Sequence, residues 1–211
     1  MGKVDIFIPP STVERFGPGE TVVKPLPGDF LLTHSEGFSS NLIRWGQSIR
    51  YHGPTEGYAH WCHAAMFVDT DGEIVEAILQ GVQQRNVSVY ADTEYHVIRL
   101  TDATEKERAH AVAFAEHCLN DRYGYITDLS LALSLLTRRK FFFGEEGQMI
   151  CSGMVARALE RTGAIFQFDS WHMLPADLAD AFNVQPTPGA STGTVPDATT
   201  GVSRRSAKKG S

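Results

Sequence analysis

Cys151 opens the stretch CSGMVARAL, in which Met154, Val155 and Ala158 continue an apolar stripe at helical spacing. A thiol in the first turn of a helix meets unpaired backbone N–H groups and the positive end of the macrodipole. Both favour the thiolate, the reactive form of cysteine. The same N–H groups, that of Cys151 included, can receive an oxyanion formed on an attacked carbon. Packing is the competing use, because Cys151 is also the first residue of the buried stripe. Cys118 falls at the end of an earlier helical pattern, where the field is reversed, and is expected in the core. Cys62 starts a strand. Three cysteines without a spacing pattern give no disulfide framework.

A nucleophilic thiol needs a base. HAAMFV (63–68) and EIVEAI (73–78) flank DTDG, a hairpin signal. If Val68 lies opposite Glu73, then Ala65 faces Glu76 and His63 faces Ile78. His63 and Glu76 then become diagonal neighbours on one face, roughly 7–8 Å apart at the backbone. A slip of one residue would separate them. Glu76 shares its face with Ile74 and Ile78, where a carboxylate is costly unless paired. His63 is a natural partner, since a carboxylate fixes an imidazole's tautomer and orientation. The other reading is a wet face with a solvated Glu76, and the local pattern leaves both open. HWCH (60–63) holds zinc-ligand types in His60, Cys62 and His63. Successive strand residues point to opposite faces, however, and no second cluster completes a tetrahedral set, so no metal is expected. Neither GPGE nor HGPTEG fits a phosphate loop, and no cofactor is expected. His110 and His117 lie two turns apart on one helix, which a solvated face explains.

The elements that must position these residues follow from the same patterns. PGDFLLTH (27–34) reads as a turn at Gly28 and Asp29 followed by a short strand. SSNLIRWGQSIRYHG (39–53) reads as a helix capped by Ser39 or Ser40, with Leu42, Trp45, Gly46 and Ile49 on its apolar face. YHVIRL (95–100) is another strand. Thr104 and Glu107 form a capping box before a helix of about 16 residues, with Ala111, Phe114, Ala115 and Cys118 facing inward. The Cys151 helix runs over 151–162 and stops at Gly163. Strands, a central hairpin and flanking helices predict an α+β domain over 1–185, with a small antiparallel sheet packed against helices. Residues 186–211 are rich in Pro, Gly, Ser and Thr and are expected to be a disordered tail.

The net charge is −6, and the tail carries Arg204, Arg205, Lys208 and Lys209 against Asp197, a net +3. That leaves −9 on the body (−6 less +3), a poor surface for nucleic acid, which needs clustered cations. No apolar run reaches the roughly 18–20 residues of a transmembrane helix. The opening MGKVDIFIPPSTVERFGPGE lacks the apolar core of a signal peptide, so the cytoplasm is the default expectation. The sequence does not indicate an oligomeric state.

Taken in order, the pieces resemble the circularly permuted branch of the NlpC/P60 papain-like superfamily, the YiiX-like permuted amidases. PGDFLL is similar to that group's Gly-Asp strand opener, and SSNLIRWGQSIRY to the helix before its histidine. HAAMFV resembles the histidine strand and EIVEAI the strand with the acidic residue. DRYGY (121–125) resembles the tyrosine segment before the nucleophile, and ICSGMVARAL the Cys-Ser helix. The likeness spans about residues 25–180, and His63 precedes Cys151, as permutation requires. It implies Cys151 as nucleophile, His63 as base and Glu76 as the orienting third residue. The Cys151 backbone N–H would serve the oxyanion, with Ser152, Gly28, Asp29 and Tyr123 as further oxyanion or substrate contacts. Two positions depart from the pattern: Ala65 replaces a glycine, and Gly153 an acidic residue. The implied reaction is amide hydrolysis through a thioester, on peptidoglycan stem peptides or on lipid-like acyl amides and esters. A thioesterase, an acyltransferase and a binding module without turnover are the alternatives. FFFG (141–144), with Leu135 and Leu136, either lines an acyl pocket or packs the core, and Gln148 joins Tyr123 as a pocket candidate.

Overall fold

The structure is a computed structural model that describes residues 5–34, 38–78, 80–119 and 151–188. It is an α+β arrangement built on a six-stranded antiparallel sheet. The strands are β1 (Ser11–Phe16), β2 (Phe30–His34), β3 (His63–Phe67), β4 (Glu73–Ile78), β5 (Gly81–Asn86) and β6 (Glu94–Leu100). Their spatial order is β1-β6-β2-β3-β4-β5. The β3–β4 hairpin has the expected register, with Ala65 opposite Glu76 and Phe67 opposite Ile74. Asp69 sets that turn, its Oδ1 accepting from the N–H groups of Asp71 (2.9 Å) and Glu73 (2.8 Å).

Both faces of the sheet are covered, so FLLTH and HAAMF read as nearly continuous apolar runs. On one side Phe30, Leu32, Ala64, Met66, Val75 and Ile98 pack against helices α2 (Glu105–His117), α3 (Cys151–Leu159) and α4 (Pro175–Ala181). On the other, Leu31, Ala65, Phe67, Ile74, Tyr95 and Val97 form a second core closed by Val22 and Val87. The capping box of α2 is complete, and Cys118 is buried at its C-cap, although the helix has 13 residues, fewer than its pattern suggested. Beyond α3 a 3-10 turn (Glu160–Thr162) ends at Gly163, whose φ is +86°.

Two expectations are corrected, and three elements had not been expected. Helix α1 covers Phe38–Ser48 only, so Ser39 and Ser40 lie inside it and Ile49 lies beyond its end, exposed. Gly53 at φ +62° and Pro54 start a separate 3-10 helix (Gly53–His60) that replaces the last expected turn. The buried anchor of α1 is Gln47, which donates to the Trp61 carbonyl (2.7 Å) and accepts from the Ala176 N–H (2.9 Å). Strands β1 and β5 and helix α4 had no clear pattern: β1 and β5 are the polar edges of the sheet, and α4 is a seven-residue helix opened by proline. Residues 186 and 187, assigned to the tail by composition, are tied to the body, since the Thr187 N–H donates to Glu94 (2.9 Å).

That tie belongs to a buried cluster. His60 Nε2 and His96 Nε2 lie 2.9 Å and 3.1 Å from the two oxygens of Glu94. Burial pushes both histidines down to about 4, against the opposing pull of Glu94. Among the described residues no helix is long and apolar enough to cross a membrane.

Candidate active site

His63 is the first residue of β3, paired with Thr33 on β2. The hairpin register makes it the diagonal neighbour of Glu76, and the side chains meet: His63 Nε2 lies 2.7 Å from Glu76 Oε2. The wet-face alternative is thereby excluded, since the Glu76 side chain is 0% exposed. Glu76 takes three donors. His63 and the Tyr90 hydroxyl share Oε2, and Arg85 Nη1 donates to Oε1 at 3.0 Å. Burial by itself would raise this carboxyl; the hydrogen bond and charge of His63, the Tyr90 hydrogen bond and the Arg85 charge outweigh it and hold Glu76 below its ordinary range.

Cys151 is buried at the head of α3, and α3 lies against β3 and β4. The thiol stands near enough to His63 to act on its imidazole. Burial pulls the imidazole down, but the charge and hydrogen bond of Cys151, together with the hydrogen bond and charge of Glu76, hold it well above its ordinary value. The side chains of Cys151, His63 and Glu76 therefore form one connected line, and His63 is where the two cores meet. Cys151 belongs to the helix-side core, whereas Ala65 and Ile74, which share a strand face with His63 and Glu76, belong to the other. An imidazole held between a thiol and a carboxylate has the parts for nucleophilic acyl chemistry.

Other expected site residues sit elsewhere. The Ser152 hydroxyl is buried and donates to the Met173 carbonyl at 2.5 Å, so it anchors α3 rather than facing a ligand. Gly28 and Asp29 stand at the far end of β2. Phe30 pairs with Met66 while Thr33 pairs with His63, so Asp29 is about 13 Å of strand from the imidazole. Asp29 is fully buried and binds Arg99 Nε and Arg108 Nη1, each at 2.8 Å. Gly28 has φ +83°, and a Cβ there would stand 3.3 Å from the Arg108 backbone. The Gly-Asp pair is a turn that docks α2, away from the imidazole. Tyr123, Gln148, FFFG, Leu135 and Leu136 lie outside the described residues. The three HWCH side chains diverge: His60 goes to Glu94, Cys62 to the Thr33 carbonyl and His63 to Glu76. Among the described residues no group of three His, Cys, Asp or Glu side chains is arranged to hold a metal ion.

Arg85 and Tyr90 are the site residues that the sequence patterns missed. Gln83 faces Glu76 and Arg85 faces Ile74, so Arg85 is the diagonal neighbour of Glu76 across β4–β5. The rule that paired His63 with Glu76 would have found it, had GVQQRN been read as a strand. Tyr90 ends a 3-10 turn (Val87–Tyr90) that folds back over β4, and no local pattern marks it. No family model matches this chain, and no curated protein matches it.

Proposed function

We propose that this protein is a cysteine hydrolase that cleaves an amide bond through a thioester, with Cys151 as nucleophile, His63 as base and Glu76 orienting His63. The observation that carries this reading is the His63 imidazole, 2.7 Å from the buried Glu76 carboxylate and held well above its ordinary value by Cys151 and Glu76 against its burial. His63 takes the proton of the Cys151 thiol, a transfer that its raised proton affinity favours. In the reaction the thiolate adds to the amide carbonyl, and the oxyanion is received by N–H groups at the head of α3. The C–N bond then breaks, the amine leaves with the proton from His63, and the acyl group stays on sulfur. His63 next takes a proton from water, the hydroxide adds to the thioester, and the acid leaves as the thiolate returns.

The fold that goes with this reading is the circularly permuted papain-like arrangement of NlpC/P60 type. The chain order His63, Glu76, Cys151 and the packing of α3 on β3 and β4 support it. Peptidoglycan stem peptides are the first substrate class to assay, followed by acyl amides and esters.

The test is the pH dependence of iodoacetamide labelling at Cys151, read by peptide mass spectrometry in the wild type and in His63→Ala. Fast labelling well below the ordinary thiol value of about 8.5, lost in the variant, is the expected result. Hydrolysis of any cleaved substrate should fall by about 10²–10⁴-fold in the variant. Labelling that rises only near the ordinary thiol value and ignores His63 overturns the reading.

A further inference from the structure

Glu76 is held by more than the histidine it orients. Its two oxygens are divided: Arg85 takes Oε1, and the Tyr90 hydroxyl shares Oε2 with His63. We propose that Tyr90 is a positioning residue for His63, acting through Glu76 by fixing the plane of a fully buried carboxylate. The proposal rests on the function read above.

Three observations carry it. First, the carboxylate has no solvent to turn to, so every donor it loses is a donor not replaced. With Arg85 on one oxygen and Tyr90 on the other, the group cannot rotate to offer His63 a different oxygen without breaking a bond. Second, Tyr90 is itself clamped. Its carbonyl accepts from the Thr93 N–H (2.9 Å) and the Thr93 hydroxyl (3.0 Å). That hydroxyl lies 3.2 Å from the hydroxyl of Thr33, the strand partner of His63. Thr93 therefore holds the Tyr90 backbone beside Thr33 on the strand paired with His63, and the Thr33 hydroxyl itself donates to the Glu94 carbonyl (3.0 Å). Third, the Tyr90 ring lies beside the imidazole, with centroids 6.0 Å apart. Burial and the Glu76 charge push the phenol far up, so it remains a donor throughout the working pH range.

The groups facing Glu76 are His63 from β3, Arg85 from β5 and Tyr90 from the 3-10 turn, with the Cys151 thiol beyond His63. Tyr90→Phe keeps the ring and deletes one donor. Burial is then opposed by one hydrogen bond fewer, and Glu76 takes a proton at higher pH. Once neutral, it no longer fixes the Nε2–H of His63.

The experiment compares wild type, Tyr90→Phe and Thr93→Val by two readouts: the acid limb of Cys151 alkylation, and the Nε2–H proton of His63 by NMR. In Tyr90→Phe the acid limb is expected to move up by about one to two pH units, the worth of a hydrogen bond to a charged acceptor. The His63 Nε2–H signal should broaden through faster exchange. Thr93→Val leaves the phenol in place and loosens its clamp, so it should shift both readouts the same way by less. It also decides the matter if Tyr90→Phe fails to fold. A folded Tyr90→Phe with the acid limb and the Nε2–H signal unmoved overturns the proposal, as does an unmoved Thr93→Val where Tyr90→Phe does not fold. If His63→Ala leaves alkylation unchanged, the hydrolase reading fails by itself, and the Nε2–H signal alone then decides whether Tyr90 positions His63.

Discussion

Replacing Glu76 by glutamine keeps the shape of the side chain and removes its charge. The carboxylate serves His63 and Tyr90 on Oε2 and Arg85 on Oε1. Glutamine has one acceptor oxygen and one NH₂ group. With its oxygen toward His63, the NH₂ confronts the Arg85 guanidinium. With its oxygen toward Arg85, the NH₂ confronts the Tyr90 hydroxyl and the His63 N–H. Removing one partner of a buried ion pair costs about 3–5 kcal/mol. The Arg85 side chain is 38% exposed, so water can take over its share; the expected loss is at the lower end, about 3 kcal/mol near pH 6. The pH dependence is the sharper signature. Glu76 is held below 4.5, so its stabilisation is present above that value and is lost as pH falls through the folded pKa. His63 is held above 6.5, so its stabilisation is present below that value and is lost as pH rises through the folded pKa. The gap between wild type and Glu76→Gln should therefore be widest between pH 4.5 and 6.5 and narrow on both sides. Urea unfolding followed by tryptophan fluorescence, at one pH inside that window and one on each side, measures it. A gap below about 1 kcal/mol, the worth of an exposed pair, or one that is flat across pH, refutes the reasoning.

Gly28→Ala should lower the unfolding free energy by about 1–2 kcal/mol, because the position is left-handed and its Cβ meets the Arg108 backbone. Its Cys151 labelling profile should match wild type; a changed profile would return Gly28 to the site. Ser152→Ala removes the donor to the Met173 carbonyl and should cost about 1–2 kcal/mol in thermal or urea unfolding. An undiminished stability there would mean that the hydroxyl does not anchor α3. His60 and His96 are held down to about 4, so the unfolded chain takes up their protons first and stability falls from about pH 6.5 towards 4. The drop should approach ~3 kcal/mol per histidine, less where the two share Glu94, and the double variant His60→Gln/His96→Gln should flatten it. An equally steep acid slope in that variant counts against the cluster.

What could be read from the sequence was mostly what a short segment decides for itself. DTDG set the hairpin register because Asp69 closes the turn with its own side chain, and that register alone brought His63 to Glu76. Thr104 with Glu107, and Gly163 after α3, marked helix ends by local capping. Tertiary decisions were not legible. Which end of β2 faces the site depends on pairings with β3 and β6, so Gly28 and Asp29 looked like site residues although Arg99 and Arg108 claim the carboxylate. A serine next to a candidate nucleophile looks functional until a carbonyl 21 residues away takes its hydroxyl. Arg85 was hidden because an edge strand such as GVQQRN is polar by design and has no apolar period. Tyr90 reaches Glu76 only through the fold-back after β5, which no periodicity encodes.

The site also has a charge logic that follows from its burial. Once the proposed proton transfer from Cys151 to His63 has been made, Cys151 and Glu76 are negative while His63 and Arg85 are positive, so the charges alternate along the line and cancel. Buried charges are tolerated when each has an opposite neighbour and its remaining hydrogen bonds are made; here Tyr90 supplies the one that Glu76 still lacks on Oε2. The two halves of the line also form differently. His63 and Glu76 are 13 residues apart on one hairpin, so their meeting requires only that β3 and β4 pair. Cys151 comes from the other core and reaches His63 only when α3 has docked on β3 and β4, with Ser152 fastened to Met173. His63 and Glu76 are thus brought together locally, and Cys151 is delivered by tertiary assembly. A thiol in a loosened α3 leaves the imidazole and loses its counter-charge at once. On the proposed reading, the reactivity of Cys151 therefore reports whether the two cores have closed on each other.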